Sequence, residues 1–161
     1  MTRTISLSSP SFQHEGEIPG RFTCEGADVS PALEWEDVPP EARSLALIVD
    51  DPDAPDPAAP RRTWVHWVLY DIPASATGLT ENAGQTGLPP GTRVGKNDWQ
   101  KAAWGGPCPP IGRHRYFFKL YALDTQLGAL PSATKDELEK AMHGHILAQG
   151  TLMGTYQKKG R

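Results

Sequence analysis

The sequence predicts an all-β chain, a two-sheet antiparallel sandwich with one or two short helices. Three observations predict it. Of the 161 residues, 16 are Pro and 16 are Gly, against averages of about 5% and 7%. Proline inside a helix removes a backbone donor and clashes with the preceding turn. The long apolar segments are rich in β-branched and aromatic residues and lack Gly and Pro, which suits sheet interiors. A single segment carries helical periodicity.

In chain order, 5–8 and 33–35 are short strand candidates. Segment 44–50 (SLALIVD) is a strong one. Residues 52–60 (PDAPDPAAP) hold four prolines in nine positions and read as a rigid loop. Segment 63–72 (TWVHWVLYDI) is a second strong strand. Alternation along it puts Trp64, His66 and Val68 on one face. Residues 73–114 are dense in turn residues. A structureless stretch of that length is uncommon in a compact domain, so it hides short strands or builds a site. Strands at 115–123 (RYFFKLYAL) and 151–157 (TLMGTYQ) follow. Between them Thr134 and Glu137 match a capping box. Leu138, Ala141, Met142 and Ile146 then form one apolar helical stripe, with Gly150 as the stop. The length suits one domain covering residues 1–161.

Sixteen basic and 19 acidic residues give a net charge of −3. The basic clusters are short pairs, Arg61-Arg62 and Lys158-Lys159, plus Arg113 and Arg115 about His114, so no stripe tracks nucleic acid. No apolar run approaches the ~18 residues a membrane span needs. The first residues lack the apolar stretch of a secretory signal, which points to the cytoplasm. Cys24 and Cys108 make neither a disulfide framework nor a zinc site.

Polar residues beside strong strands mark the chemistry. Asp50, Asp51 and Asp53 follow an apolar strand. His66 lies among Trp64, Val65 and Trp67. A glycine-proline loop runs from Gly105 to Pro110, and Arg113-His114-Arg115-Tyr116 opens the third long strand. Two His and two Asp have the right types for a metal, but no tight ligand spacing appears among them. His143 and His145, at i and i+2, do not share a helix face. Ser30 and Ser44 are conceivable nucleophiles, but no G-x-S-x-G elbow is present. No catalytic residue, metal or cofactor is expected.

Together these segments resemble the phosphatidylethanolamine-binding protein family, also called the Raf-kinase-inhibitor-like family, and most closely its compact bacterial and archaeal branch. The matching elements are DPDAP at 51–55, VHW at 65–67, GPCPP-x-G at 106–112 and HRY at 114–116. TCEG at 23–26, SPALEW at 30–35, GHILA at 144–148 and GTY at 154–156 extend the likeness over about 5–157. The resemblance implies a pocket for phosphate-like groups and phosphoethanolamine head groups. Its lining would be Asp51, His66, His114 and Tyr116, with Asp53, Gly106, Pro109 and Pro110 beside it and Trp64 at the rim. It implies a ligand-binding or modulatory protein, not an enzyme.

The alternative is a protein-interaction inhibitor of a kinase or peptidase, with loop 52–62 as contact surface. Edge strands and family precedent suggest a homodimer. His66, His114, Tyr116 and backbone N–H groups near Gly105-Gly106 supply anion donors. Histidine protonation would strengthen binding as pH falls toward 6. Asp51 and Asp53 repel a dianion unless they serve the histidines or an ammonium group. The two cysteines sit in motif loops; a reducing cytoplasm favours thiols, and a redox-sensitive pair is the other reading.

Overall fold

The computed structural model describes residues 3–159; Met1, Thr2, Gly160 and Arg161, part of the 1–161 span expected above, lie outside the described residues. The apolar segments become long strands: β4 (Ser44–Ala54), β5 (Arg62–Pro73), β8 (Arg113–Leu123) and β9 (Ile146–Gln157). With β1 (Arg3–Thr4) and β7 (Arg93–Val94) they form a six-stranded sheet in the order β1-β9-β8-β4-β5-β7. A three-stranded sheet, β2-β3-β6, pairs Ser6–Ser8, Leu33–Glu36 and Gly78–Leu79. All ladders are antiparallel except the short β1–β9 pair, which is parallel. Among the described residues the helices are α1 (Ala83–Thr86) and α2 (Lys135–Met142), with one 3₁₀ turn at Gly20–Phe22. The segment 73–114 thus hides β6, α1 and β7, and its remainder builds a pocket wall.

Period-two alternation sorts the large sheet into two faces. Leu45, Leu47 and Val49 of β4, Trp67 and Leu69 of β5, and Phe118 and Leu120 of β8 meet Leu7, Leu33, Trp35 and Leu79 of the small sheet. On the opposite face Ala46, Ile48, Val68, Tyr70 and Leu123 pack with Leu138 and Met142 of α2. Each fully buried side chain of this size contributes about 1.5–3 kcal/mol.

Three sequence expectations change. Trp64, His66 and Val68 do not share a face. The β4–β5 register steps from Val49↔Trp67 to Asp50↔Val65, which leaves His66 as an extra residue. Such a bulge breaks simple alternation. Trp67 therefore enters the main core, and Val68 packs behind the sheet. Second, β4 continues through Pro52 and Asp53 to Ala54. The register shift between Asp51 and Ala54 removes the ladder bond that Pro52 cannot donate. The chain leaves β4 through a cis Ala54-Pro55 peptide.

Third, the helix ends at Met142. Thr134 caps it, accepting from the Glu137 N–H at 3.3 Å. Residues 142–145 form a turn, in which the His145 N–H donates to the Met142 carbonyl at 2.9 Å and Gly144 has φ 84°, so Ile146 opens β9 instead of closing the apolar stripe. The left-handed conformation at Gly144 is open to glycine without steric cost.

The two cysteines are not independent thiols: Cys24 and Cys108 form a disulfide, Cα–Cα 5.4 Å, across 84 residues. The fold brings their loops together before the sulfurs matter. Cys24 N–H donates to the Pro107 carbonyl at 3.1 Å, and Gly106 N–H donates to Asp28 at 2.9 Å.

Candidate ligand pocket

At one end of the large sheet, β4 delivers Asp51, β5 delivers Trp64 and His66, and β8 delivers His114 and Tyr116 to one cavity of about 570 Å³. Pro109 and Pro110 form a wall, and Cys108 ties that wall to the 20–28 segment through its disulfide. Trp99, Arg61 and Arg62 complete the mouth.

Buried Asn97 presents Trp99. Its Oδ1 accepts from the Trp99 and Lys101 backbone at 2.9 and 3.1 Å, and its amide donates to Ala103 O at 2.8 Å. Trp99 then stands edgewise to both Trp64 and His66, with ring centroids 5.4 and 5.2 Å apart. Gly105 is required here because a Cβ would strike the Trp99 ring. Arg62 lies over Trp64, 5.7 Å from the ring centroid, a cation–π contact.

The polar floor is unevenly satisfied. His114 is 1% exposed and both its nitrogens face acceptors. Nε2 lies 2.9 Å from Ile111 O and 3.1 Å from Pro55 O, and Nδ1 lies 2.5 Å from Asp51 Oδ2. A carbonyl only accepts, so Nε2 is protonated, and a second proton lies between Nδ1 and the carboxylate. The Asp51–His114 pair is therefore neutral as a unit. Burial raises the Asp51 pKa, against the opposing hydrogen bonds from His114 and the Asp53 N–H. His66 points Nδ1 at Gly105 O, 2.6 Å away. Burial pushes its pKa down to about 4. Among the described residues no group partners the buried Tyr116 hydroxyl. Burial raises its pKa, so it keeps its proton.

Seven of the nine residues expected at the site line the cavity: Asp51, Trp64, His66, Pro109, Pro110, His114 and Tyr116. Asp53 and Gly106 are not among its lining residues. Asp53 is held by Arg115, whose Nε and Nη2 donate to its two oxygens at 3.0 and 2.9 Å. That guanidinium lowers the Asp53 pKa. Gly106 packs against Phe22 O and Asp28, where a Cβ would collide, and its N–H is spent on Asp28.

The donor inventory also changes. His114 has no free N–H for a ligand, and the donor of His66 is spent on Gly105. Tyr116, the two arginines and the indole N–H groups of Trp64 and Trp99 are left as side-chain donors. Trp99 escaped the sequence reading; the available signals were a Trp inside a turn-rich stretch and an Asn two residues before it. Sequence alone places Arg61 and Arg62 at the end of loop 52–62, because only the β4–β5 hairpin folds them back over the site.

No helix among the described residues is long and apolar enough to cross a membrane. A phosphatidylethanolamine-binding protein family model matches residues 8–157. A protein of Methanothermobacter thermautotrophicus named UPF0098 protein is 48% identical over 155 residues, 96% of this chain and 99% of that one. The crystal structure of a phosphatidylethanolamine-binding protein homolog from Chlamydia trachomatis superposes with TM-score 0.88 at 39% identity, covering 98% of this chain and 100% of that one. Escherichia coli YbcL, described as a new member of the mammalian family, gives TM-score 0.86 at 32% identity over 96% and 99% of the two chains.

Proposed function

The chain belongs to the phosphatidylethanolamine-binding protein family, and on that premise we propose that its pocket binds a small phosphate-containing anion or a phospholipid head group, without turnover. The observation that carries the reading is the Tyr116 hydroxyl, 1% exposed as a residue, lining the cavity and lacking a partner. A buried unsatisfied donor costs about 1–3 kcal/mol. A ligand oxygen that accepts from it recovers that cost.

Charge supports the same reading. The Asp51–His114 pair is neutral, so it does not repel an anion as an isolated carboxylate would. Arg61 and Arg62 at the mouth attract one. The aromatic walls of Trp64 and Trp99 lower the local polarity, which strengthens the remaining polar contacts. The same walls suit the alkyl and ammonium portion of an ethanolamine head group through apolar and cation–π contact.

Calorimetric titration with phosphate and with phosphoethanolamine tests the reading. Binding to the wild type is expected, with loss in His66→Ala and at least a tenfold weakening in Tyr116→Phe. Absence of binding to the wild type overturns it and directs attention to protein partners at loop 52–62.

A further inference from the structure

The acceptor side of the pocket carries information that the phosphate reading alone does not use. Gly105 O can only accept, so the 2.6 Å contact places the His66 proton on Nδ1. The ring is 3% exposed and meets Trp99 and Tyr116 edgewise, both at 5.2 Å. Neither nearby carboxylate is free to serve it. Asp50, on the opposite face of β4, is paired with Lys119 and Lys135. Asp51 is paired with His114. The ring therefore remains neutral, in keeping with its downward shift on burial, and its Nε2 offers a lone pair. Tyr116 beside it offers an unpartnered O–H. One acceptor and one donor thus belong to neighbouring rings, 5.2 Å apart, whose residues both line the cavity.

We propose that the pocket selects a tetrahedral oxyanion that brings its own proton: a singly protonated phosphate or phosphate monoester, whose P–OH donates to His66 Nε2 while a second oxygen accepts from Tyr116. This deepens the phosphate reading and rests on it, and it narrows that reading to phosphate or a monoester such as phosphoethanolamine, because the phosphodiester of an intact phospholipid carries no P–OH. Sulfate has similar size and shape but no proton at neutral pH. In the same place it would set a lone pair against the Nε2 lone pair and leave both unsatisfied. Sites built to hydrogen-bond a ligand hydroxyl reject analogues lacking it, by as much as about 10⁴-fold where water is excluded. Arg61 and Arg62 attract both ions and do not discriminate between them.

The test is calorimetry of the wild-type protein with sodium phosphate and sodium sulfate between pH 5.5 and 8 at constant ionic strength. Phosphate is expected to bind at least tenfold more tightly than sulfate at pH 6. Its affinity should then decline as pH rises past the second pKa of inorganic phosphate, about one unit above the ~6 of a phosphate ester, while sulfate stays weak and flat. A smaller ratio at pH 6, or sulfate affinity that climbs with phosphate as pH falls, overturns the proposal; the second result would mean that His66 binds as an imidazolium. No binding of either ion overturns the phosphate reading itself. In His66→Gln, checked for folding by near-UV circular dichroism, an amide N–H becomes available and the phosphate-to-sulfate ratio is expected to fall below threefold. A ratio unchanged in a folded variant would also overturn the assignment to His66.

Discussion

Asp50 and Asp51 are adjacent carboxylates on one strand, and the pleat sends them to opposite faces with opposite roles. Both are nearly inaccessible, at 1% and 3%. Asp50 lies behind the sheet, where Lys119 and Lys135 approach its Oδ2 at 3.0 and 2.8 Å. Those lysines keep side-chain exposures of 30% and 18%, so their ammonium groups reach both the carboxylate and water. Asp51 lies in the pocket, where its partner His114 is sealed, and where a hydroxyl remains unsatisfied nearby. The closed cluster does its work by holding α2 to the sheet. The incomplete set of partners is the one suited to recognition, because a ligand can complete it.

The largest expected effect separates the two carboxylates. Asp51→Ala leaves His114 buried with an unanswered Nδ1, and breaking a buried pair costs about 3–5 kcal/mol. Asp50→Ala leaves lysines that can extend into solvent, and a cost of about 1–2 kcal/mol is expected. Urea denaturation of both variants checks this; equal losses would break the comparison.

The disulfide comes next, since it belongs to the pocket side alone. Removing the Cys24–Cys108 bridge with Cys24→Ser and Cys108→Ser is expected to cost about 2–4 kcal/mol, mainly through the unfolded chain. The pocket wall should also loosen, read as faster hydrogen exchange at 105–112 than at α2. In a cytoplasmic setting the bridge would face reducing thiols, so mass measurement after alkylation without reductant shows which form exists.

Acid should weaken the pocket side through His66. His66 has a folded pKa of about 4 against 6.5 unfolded. The unfolded chain therefore binds the extra proton first. The stability is fully present above about pH 6.5 and is lost as pH falls toward 4, up to about 3 kcal/mol in all. Asp51, raised by burial, acts in the opposite sense around and above its ordinary value. A pH titration of stability for wild type and His66→Phe isolates the histidine, and identical slopes would remove it as the cause.

The smallest effect on stability is the most diagnostic of function. Tyr116→Phe removes a hydroxyl with no partner, so stability should change by less than about 1 kcal/mol. Phosphate affinity should nevertheless drop at least tenfold by calorimetry. A large stability loss would place that hydroxyl in a structural network and weaken the contrast with Asp50.

Much of this was legible in the chain because strand cores and motif residues announce themselves locally. SLALIVD and RYFFKLYAL can hardly be anything but sheet interior, and they became β4 and β8. The histidines, Tyr116 and Pro109-Pro110 stand beside those strands, so their convergence followed from the resemblance. The misreadings have a common source. The side assigned to Val68 depended on a bulge, and a bulge is a register decision between two strands. The end of α2 depended on β9 claiming Ile146 for its ladder with Leu123. Asp53 and Gly106 look equivalent to their neighbours in sequence, but Arg115 and Asp28 take them from the pocket.

By itself the sequence determined the all-β class, the cap of α2 and the residue types at the site. These rest on propensity and local hydrogen bonding, which act over a few residues. The tertiary structure alone decided which ring nitrogen of His66 carries its proton, which partner each aspartate takes, and that the two cysteines meet. Those outcomes depend on atoms far apart in the chain and on burial, which changes the free energy of a charge or an unpaired donor far more than any neighbouring residue can.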